Sequence, residues 1–576
     1  MKRFWIAFLV IAGVSVGGVA WLSRTMRGIE SLAPAGAGEG VLHWRIDEAY
    51  AEESQTDALG LLLEGRRPLL RDVVFALARA ARDDRISGLF IEVGALPAGW
   101  AQVEELSEAV AAFAQTGKRV VAWLESAGEK EYVLALPADE IVLAPEGNLM
   151  ILGVRAEMSF LKGTLDKLGM QADFVHVGRY KSAPEQLTRE SPTEPHREMV
   201  EAIVEAHYQR LVRAIAASRD VTEAKARDWI DAGIYDAQTA LAQGMIDGAA
   251  PVGNDGAGRF PEEDFVELDD YALARRRGRV AATVALIPIT GTIVPGESHH
   301  DTWSGWYAGS STVVERLRRA RDDDGVDAVL LRVNSPGGSA MASDLIWHEV
   351  ARVREKKPVV VSMADYAASG GYYVSCGADS IFAAAGTLTG SIGVFAGKVD
   401  MAGLYAKIGV QREFVTRGEN ALLFSNATIF TDAQRSALEA LLGDFYQRFV
   451  TRVAQGRRLP AEEVAKVAEG RVWTGEQGIE VGLVDGRGGM LRALASAKRL
   501  VGLDPEQLVA VTSYEEPLGL LERVFLRFFR HDGAGLGVPA PLAPHVAAWR
   551  GDAALSAVAL LDGRPLALLP LRVELD

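Results

Sequence analysis

The stretch EYVLALPADEIVLAPEGNLMILGV, residues 131–154, recurs in diverged form as GYYVSCGADSIFAAAGTLTGSIGV, residues 371–394. A second pair of stretches, GMQADFVHVGRYKS from Gly169 and GVQREFVTRGENAL from Gly409, keeps the same shift of about 240 residues. Self-similarity at a fixed, domain-sized shift is the signature of a repeated structural unit. The chain therefore contains two related halves, and their comparison shows which residues each half has kept.

The two halves differ at a serine and a lysine. In the shared register Ser369 of the second half lies opposite Glu129, and Lys181 of the first half lies opposite Ala421. One half thus keeps a serine in a tight glycine-rich turn, and the other keeps a lysine after a predicted strand. A serine nucleophile needs a base to remove its proton, and a neutral lysine can serve as that base. We therefore predict one Ser/Lys pair, built from both halves.

Length and composition describe a globular protein with more than one domain. A chain of 576 residues exceeds what a single core usually holds, and 49% hydrophobic and 24% charged residues are ordinary for a globular protein. The net charge of −16 argues against nucleic acid as a partner. The single cysteine, Cys376, excludes an intramolecular disulfide, and its apolar neighbours favour a place in the core over a reactive thiol.

The N-terminus carries a long apolar run. Residues 4–22 contain no charge, and Lys2 and Arg3 precede them. At 1.5 Å per residue the run spans about 29 Å, close to the hydrocarbon thickness of a bilayer. We expect an uncleaved transmembrane signal anchor, while small residues at 17–20 leave cleavage open. The basic residues before the run predict a cytoplasmic N-terminus, with the rest of the chain outside the inner membrane.

Changes in composition divide the chain into six parts. We expect an anchor over residues 1–27, a linker over 28–56, a first repeat that supplies the lysine over 57–250, a connector over 251–279, a second repeat that supplies the serine over 280–501, and a tail of unassigned role over 502–576. These boundaries follow glycine-, proline- and charge-rich stretches and the limits of the internal similarity.

Each repeat alternates apolar runs with helical patterns. In the second repeat, residues 282–289, 328–333 and 358–362 predict buried strands, and residues 312–321 predict an amphipathic helix. Strands separated by helices of this length form βαβ units. The predicted fold class is therefore α/β, with two tandem repeats and mainly parallel sheets.

Two glycine-rich turns are candidates for holding a reacting group. Ser369 lies in ADYAASGGYY, where a strand meets small residues, and the amide of Gly370 would point toward a developing oxyanion. The turn NSPGGS follows another predicted strand, and Gly337 and Gly338 would let a ligand approach the backbone. Their amides could supply a second oxyanion donor or pair with an extended peptide. Simple tight turns remain the alternative for both segments.

Lys181 lies in GRYKSAPE, directly after a predicted strand. A lysine with an ordinary pKa of about 10.4 is almost fully charged at pH 7, so a base at this position must be desolvated. The alternative is a surface lysine paired with Glu185, although Pro184 makes a regular helical pair less natural.

Other catalytic schemes have weaker support. A Ser-His-Asp triad with the histidine after the nucleophile would have to use His531 or His545, and both lie outside the repeated segments. The adjacent His299 and His300 alone are a weak signal for a metal or a base. The sequence contains no P-loop, HExxH or paired CxxC motif, so we expect no metal and no cofactor.

Taken together, YAASGGYY, TLTGSIGVF, NSPGGS, GRYKSAPE and VWTGEQGIEVGLVD resemble the motifs of the signal peptide peptidase A family in its long, duplicated form, also called the protease IV family. The resemblance extends from the anchor to about residue 500. It implies a fold similar to the Clp protease and the crotonases, and a serine protease with a Ser/Lys dyad.

Carried over motif by motif, the resemblance implies a role for six residues. Ser369 would be the nucleophile and Lys181 the general base. Gly370 and the Gly337–Gly338 turn would supply oxyanion and substrate-backbone donors, and Ser391 would orient the lysine. The resemblance also implies a membrane-anchored homotetramer.

The expected function is that of a serine endopeptidase in the bacterial inner membrane, with its catalytic domain on the periplasmic side. Its substrates would be cleaved signal peptides and other short apolar peptides. A crotonase-like acyl-CoA enzyme and a non-catalytic membrane scaffold remain as alternatives. The first would need no serine nucleophile, and the second would need no intact Ser/Lys pair.

Overall fold

The computed structural model of the chain describes residues 38–54, 67–252, 260, 265–273, 280–301, 304–504, 507–515 and 566–568. The anchor predicted over residues 1–27 lies outside these residues. Within the described ranges, no helix combines the length and the apolar character that a membrane span needs.

Helices occur throughout both halves of the described chain. In chain order they are α1 (Leu70–Ala80), α2 (Trp100–Ala114), α3 (Glu129–Ala135), α4 (Lys162–Leu168), α5 (Glu185–Thr188), α6 (Glu194–Ser218), α7 (Glu223–Ala232), α8 (Ala237–Ala242), α9 (Leu268–Leu273), α10 (Ser310–Asp322), α11 (Ala340–Arg354), α12 (Gly370–Ser375), α13 (Ala402–Lys407), α14 (Asp432–Arg457), α15 (Ala461–Val467), α16 (Gly475–Glu480) and α17 (Met490–Leu500).

Strands alternate with these helices. In chain order they are β1 (Gly40–Ile46), β2 (Ile86–Val93), β3 (Arg119–Leu124), β4 (Glu140–Leu143), β5 (Asn148–Met150), β6 (Gln171–Val177), β7 (Ile234–Asp236), β8 (Gly248–Ala249), β9 (Phe265–Glu267), β10 (Ala282–Thr290), β11 (Thr292–Val294), β12 (His299–Asp301), β13 (Gly305–Gly309), β14 (Ala328–Ser335), β15 (Gly337–Ser339), β16 (Val359–Ala368), β17 (Ser380–Ala383), β18 (Leu388–Gly390), β19 (Val394–Asp400), β20 (Val472–Thr474), β21 (Gly486–Arg487), β22 (Val509–Ser513) and β23 (Leu566–Leu568).

The first half is built on a parallel sheet with the strand order β8-β4-β3-β2-β1-β9. Helices α1, α2 and α3 connect its consecutive central strands, which is the βαβ arrangement that the sequence predicts. The strand RVVAWL shows why the sheet is buried on both faces: Val120 and Ala122 pack into one cluster, and Val121 and Trp123 pack into another. Parallel sheets covered on both faces need such continuous apolar runs.

The second half repeats this architecture. Its sheet has the order β20-β18-β16-β14-β10-β22, with β17 and β21 added beside β16, and its strands are parallel except for the β18–β20 pair. The strands predicted from residues 282–289, 328–333 and 358–362 correspond to β10, β14 and β16, and the predicted helix corresponds to α10. The α/β fold with mainly parallel sheets is therefore confirmed.

A third sheet joins the two halves. Its order is β12-β13-β11-β15-β23-β19-β6, and it combines strands of both halves with a strand near the C-terminus. Here β6 of the first half pairs antiparallel with β19 of the second half over seven residue pairs, from Val177 opposite Val394 to Gln171 opposite Asp400. Lys181 follows β6 and Ser391 precedes β19, so this pairing brings the two predicted site segments to the same region.

Buried charges also join the halves. The guanidinium of Arg332 on β14 lies 2.8 Å from the carboxylate of Glu52 and 2.7 Å from that of Glu105 on α2, and all three side chains are buried. Asp365, on the strand that leads to the Ser369 turn, accepts a hydrogen bond of 2.9 Å from the amide of Ala101 at the start of α2. Desolvation, which is the largest effect, and the nearby Glu52 raise the pKa of Asp365 to about 6.

Three segments outside the two predicted repeats contribute strands to the sheets. Residues 40–46, assigned to the linker, form β1 and pair with β2 and β9. The connector contributes β9 and α9, and the tail contributes β22, which pairs with β10. The linker boundary followed the glycine-, alanine- and proline-rich composition before β1, although the segment LHWRI, residues 42–46, alternates between apolar and polar residues. The internal repeat contained the missing signal for β1, because a shift of about 240 residues places it opposite the start of β10.

Candidate active site

Ser369 occupies a sharp turn between β16 and α12. Its φ of 54° and ψ of −112° are unfavourable for a residue with a side chain, so the surrounding structure must hold this conformation. Its amide donates to the carbonyl of Gly390 at 2.8 Å, and its carbonyl accepts from the amide of Tyr373 at 2.8 Å. These bonds fix both sides of the turn, and the strand-to-helix turn that the sequence predicts is present.

Lys181 lies in a turn that begins where β6 ends. The amide of Tyr180 donates to the carbonyl of Glu469 at 2.8 Å, which ties this turn of the first half to a loop of the second half. The Lys181 side chain is completely buried. Glu185, its possible surface partner, instead accepts hydrogen bonds from Thr193. The surface-lysine alternative is therefore wrong.

The amine of Lys181 lies in contact with both serines that the sequence predicts for the site. Lys181 Nζ lies 2.7 Å from Ser369 Oγ, 2.9 Å from Ser391 Oγ and 3.1 Å from the Ser391 carbonyl oxygen. These distances fall within hydrogen-bond range. Burial lowers the pKa of Lys181 well below its ordinary value. A buried amine with a lowered pKa in contact with a serine hydroxyl is chemically able to act as a base.

The two glycine turns lie side by side next to Ser369. A Cβ atom added to Gly370 would lie only 3.1 Å from Gly337 Cα and 3.1 Å from the Gly338 nitrogen, so the start of α12 is in contact with β15. The amides of a first helical turn have no acceptor within the helix, and Gly370 is the first residue of α12. The amide of Gly337 donates to Ser335 Oγ at 3.2 Å. Gly370 therefore presents an amide with no acceptor in its own helix, directly after Ser369.

With this geometry established, comparison with known proteins identifies the family. The model of peptidase family S49 matches residues 112–252 and 351–504, which together make up about half of the chain. The chain belongs to peptidase family S49.

Curated relatives support the S49 assignment over most of the chain. The chain is 31% identical to the chloroplastic serine protease SPPA of Arabidopsis thaliana, over 76% of this chain and 67% of the relative. It is 34% identical to Protease 4 of Haemophilus influenzae, over 77% of this chain and 75% of the relative. The resemblance to the signal peptide peptidase A family is therefore confirmed, and this S49 protein is a serine peptidase.

Solved structures similar to this S49 peptidase include a mutant of ClpP1 from Listeria monocytogenes. That structure covers 36% of this chain and 94% of its own, with 14% sequence identity and a TM-score of 0.24.

A glycine that the sequence analysis missed completes the lysine turn of the S49 peptidase. Gly470 has a φ of 80°, and a Cβ atom on it would lie within 2.6–2.7 Å of the backbone of Lys181. Only a residue without a side chain allows the loop of the second half to approach the lysine this closely. A weak signal was present in the sequence, because a glycine lies one residue before the shared phrase in DAGIYDA and two residues before it in AEGRVWT.

Arg471 is a second residue that the sequence analysis missed. Its carbonyl accepts a hydrogen bond of 2.7 Å from the amide of Ser391. Its guanidinium lies 2.6 Å from the carboxylate of Glu198 and 3.0 Å from the hydroxyl of Tyr180, next to the lysine. Arg471 thus connects the segment of Ser391 to the turn of Lys181. Long-range contacts of this kind leave no local pattern in the sequence.

In the first half, the turn that corresponds to the Ser369 turn contains glutamates whose carboxylates accept hydrogen bonds from nearby backbone amides. Glu129, opposite Ser369 in the repeat, accepts hydrogen bonds from the amides of Leu152 and Gly153. Glu131 accepts a hydrogen bond of 3.0 Å from the amide of Leu96, in the turn that corresponds to NSPGGS. In this half, backbone amides around the corresponding turn are therefore already bonded to glutamates, and no serine stands at the position of Ser369.

Proposed function

We propose that this S49 peptidase is a membrane-bound serine endopeptidase that uses Ser369 and Lys181 to degrade cleaved signal peptides and other short apolar peptides. The observation that carries the proposal is the 2.7 Å separation between Lys181 Nζ and Ser369 Oγ. Both residues are completely buried. Such a pair can activate a serine without histidine.

The surroundings of Lys181 match the needs of a neutral amine. A neutral amine has two N–H groups and one lone pair, and three oxygen atoms lie within reach. The hydroxyl and the carbonyl of Ser391 can accept the two N–H groups, at 2.9 and 3.1 Å. The Ser369 hydroxyl can then donate its proton to the remaining lone pair. Ser391 would thus be a positioning residue that aims the lone pair at the nucleophile.

The chemistry follows from this arrangement. Ser369 Oγ attacks the peptide carbonyl while its proton passes to Lys181, and the C–O bond forms as the carbonyl becomes an oxyanion. Backbone amides of Gly370 and of the Gly337–Gly338 turn stabilise the oxyanion. Lys181 then gives the proton to the leaving amine as the C–N bond breaks. Water, deprotonated by Lys181, releases the acyl group and regenerates the serine.

The substrate class and location rest on the family resemblance and on the sequence. The relatives are named as proteases, and the apolar run over residues 4–22 supports attachment to the bacterial inner membrane. We place the catalytic domain on the periplasmic side, in a homotetramer whose chains each contain one site. In this proposal the first repeat supplies the lysine and the second supplies the serine.

Two substitutions test the dyad in the full-length protein. We expect Ser369→Ala and Lys181→Met to lower kcat for a fluorogenic apolar peptide by about a thousandfold or more, because each removes one half of a cooperating pair. We also expect a fluorophosphonate probe to label Ser369 in the wild type and to leave both variants unlabelled.

Matched controls separate catalysis from folding. Ser375 is also buried in α12, where its hydroxyl donates to the Gly371 carbonyl, and Lys118 binds the carbonyls of Ala80 and Asp83. Ser375→Ala and Lys118→Met should keep activity close to that of the wild type. Normal peptide cleavage by either dyad variant would disprove the proposal. A crotonase-like acyl-CoA enzyme would show no labelling of Ser369.

A further inference from the structure

A carboxylate lies four residues after Lys181 in the chain without binding its amine. Glu185 is the first residue of α5, and its amide donates to the carbonyl of Ser182 at 2.8 Å. A turn of this kind keeps its end Cα atoms within about 7 Å, so the Cα atoms of Lys181 and Glu185 lie within about 11 Å. The two side chains are long enough to meet across this separation, and an ion pair would hold the amine in its charged form.

Three hydrogen bonds direct the Glu185 carboxylate to the start of α6 instead. Thr193, the N-cap residue of that helix, donates its amide at 2.9 Å and its hydroxyl at 2.6 Å. The Nδ1 atom of His196 lies 3.0 Å from Glu185 Oε2, and His196 is completely buried. Its Nε2 atom finds no hydrogen-bond partner among the described residues. A proton on Nε2 would be an unsatisfied buried donor, so the geometry favours a neutral ring with its proton on Nδ1.

The charge states of the two groups agree with this geometry. Desolvation, the largest effect at Glu185, raises its pKa, but the hydrogen bonds from His196 and Thr193 outweigh it, and the pKa lies below the ordinary value. At Lys181 burial lowers the pKa, and no carboxylate of the described residues raises it. The ionised carboxylate is thus stabilised a short distance from the base without acting on it.

Other charged side chains around the lysine turn form ion pairs. Arg179 of the turn lies 2.9 Å from the carboxylate of Glu469, in the loop that approaches from the second half. Arg471 of the same loop lies 2.6 Å from the carboxylate of Glu198 on α6. Glu185 differs from these carboxylates, because its donors are an amide, a hydroxyl and an imidazole. No guanidinium in these contacts offsets its charge, so its direction decides whether the charge acts on the amine.

We propose that Thr193 and His196 are positioning residues that bind the Glu185 carboxylate at the start of α6 and thereby keep it away from the amine of Lys181. The inference rests on the proposed function, because it concerns the residue that acts there as the base. Without these donors the carboxylate is free to turn toward the amine and to stabilise its charged form. A charged amine has no lone pair to accept the proton of Ser369.

Removal of the histidine donor from the full-length protein tests this role. His196→Phe keeps a ring in the buried position and removes Nδ1. We expect the midpoint of kcat/KM against pH, for a fluorogenic apolar peptide, to rise by about one pH unit or more, since a nearby opposite charge favours the charged form of an amine. Below both midpoints, activity should fall about tenfold. Thr193→Val keeps the amide and loses only the hydroxyl, so it should shift the midpoint in the same direction by less.

A second substitution separates positioning from a structural role. Glu185→Gln alone should leave the midpoint unchanged, and in His196→Phe/Glu185→Gln the midpoint should return to the wild-type value, because the displaced charge is gone. Structural damage alone would lower kcat without moving the midpoint. His43→Phe, which breaks a similar 2.9 Å contact with Glu267 on another sheet edge, should leave the midpoint unchanged. An unmoved midpoint in His196→Phe, or in Thr193→Val if His196→Phe does not fold, would overturn the proposal.

Stability reports the charge of Lys181 without turnover. The free energy of unfolding in urea, compared between each protein and its Lys181→Met version, isolates the rise with pH between the lowered pKa of Lys181 and 10.5. In His196→Phe this rise should begin at higher pH, and Glu185→Gln should restore it. An unchanged onset would contradict the positioning role. If the onset shifts in a protein that neither cleaves peptides nor reacts with a fluorophosphonate, the proposed function fails and the positioning role stands.

Discussion

At the scale of single residues, two buried lysines show what distinguishes Lys181. Lys398 is also buried, but its ammonium bonds to the carbonyls of Leu422 and Leu423. Burial lowers the pKa of Lys398, while the carboxylates of Asp173 and Asp400 act in the opposite direction. Lys181 has only serine oxygens as partners, and burial alone lowers its pKa. The protein therefore favours the uncharged amine at this position.

The lowered pKa predicts how activity depends on pH. We expect kcat/KM to rise with pH as Lys181 loses its proton, with a midpoint well below 10.5, and then to level off. Peptide cleavage measured between about pH 5 and pH 10 checks this. A midpoint at the value of an exposed lysine would contradict the assignment of Lys181 as the base.

The same shift predicts a dependence of stability on pH. Between the lowered pKa of the folded state and 10.5, the unfolded chain binds one more proton than the folded chain at Lys181. The free energy of unfolding should therefore rise with pH in that window, by up to about 1.4 kcal/mol per pH unit from this group. Lys181→Met should remove this contribution, which urea unfolding at several pH values can measure.

At the scale of elements, two turns fix the distance between the lysine and the serine. Gly178, which follows β6, has a φ of 105°, and a Cβ atom on it would lie 2.5 Å from the carbonyl group of Glu469. Gly470 faces the backbone of Lys181 in the same way. The close approach of these two turns positions the amine as much as the strand pairing between β6 and β19 does.

Gly470→Ala should therefore impair catalysis more than stability. Its φ of 80° costs an alanine about 1–2 kcal/mol, and the added methyl group would push Lys181 away from Ser369. A displacement of about 1 Å can lower kcat about a hundredfold. Gly502→Ala is a matched control, because Gly502 has a φ of 76° and no atom within 4 Å of an added Cβ. Equal kcat values for the two variants would refute this role of Gly470.

At the scale of the whole molecule, the site exists only because the two halves are docked. Strand pairing between β6 and β19 supplies backbone hydrogen bonds, and Arg332 supplies a buried ionic contact to Glu52 and Glu105. Buried ion pairs contribute little net stability when intact, but the loss of one partner leaves a costly unpaired charge. We therefore expect the contacts between the halves to be needed for activity as well as for folding.

Arg332→Met should destabilise the protein by about 3–5 kcal/mol at pH 7, because Glu52 and Glu105 would remain buried without a counter-charge. The loss should shrink at lower pH as these carboxylates take up protons. The urea midpoint of unfolding at two pH values measures both effects. Lys162→Met, which removes an exposed ion pair with Asp166, should change stability by less than about 1 kcal/mol. Similar midpoints for the two variants would contradict the interpretation.

Several features could be predicted from local patterns in the sequence. Apolar periodicity predicted the strands and the helix of the second half, because burial on both faces of a parallel sheet requires continuous apolar runs. The repeat comparison singled out Ser369 and Lys181, since a residue kept by only one half stands out against its counterpart. Strand β1 escaped prediction because the boundary followed the glycine-rich composition of the preceding segment, although residues 42–46, LHWRI, alternate between apolar and polar residues.

The sequence by itself determined the α/β class, the two related halves and the residues of the candidate dyad. Only the tertiary structure decided that Lys181 Nζ lies 2.7 Å from Ser369 Oγ, that Gly470 and Arg471 hold the lysine turn, and that β23 pairs with β15 beside the site. The physical reason is that propensity and periodicity act over a few neighbouring residues. Burial of a lysine, the close approach of two turns and the pairing of distant strands arise only when segments far apart in the chain pack together.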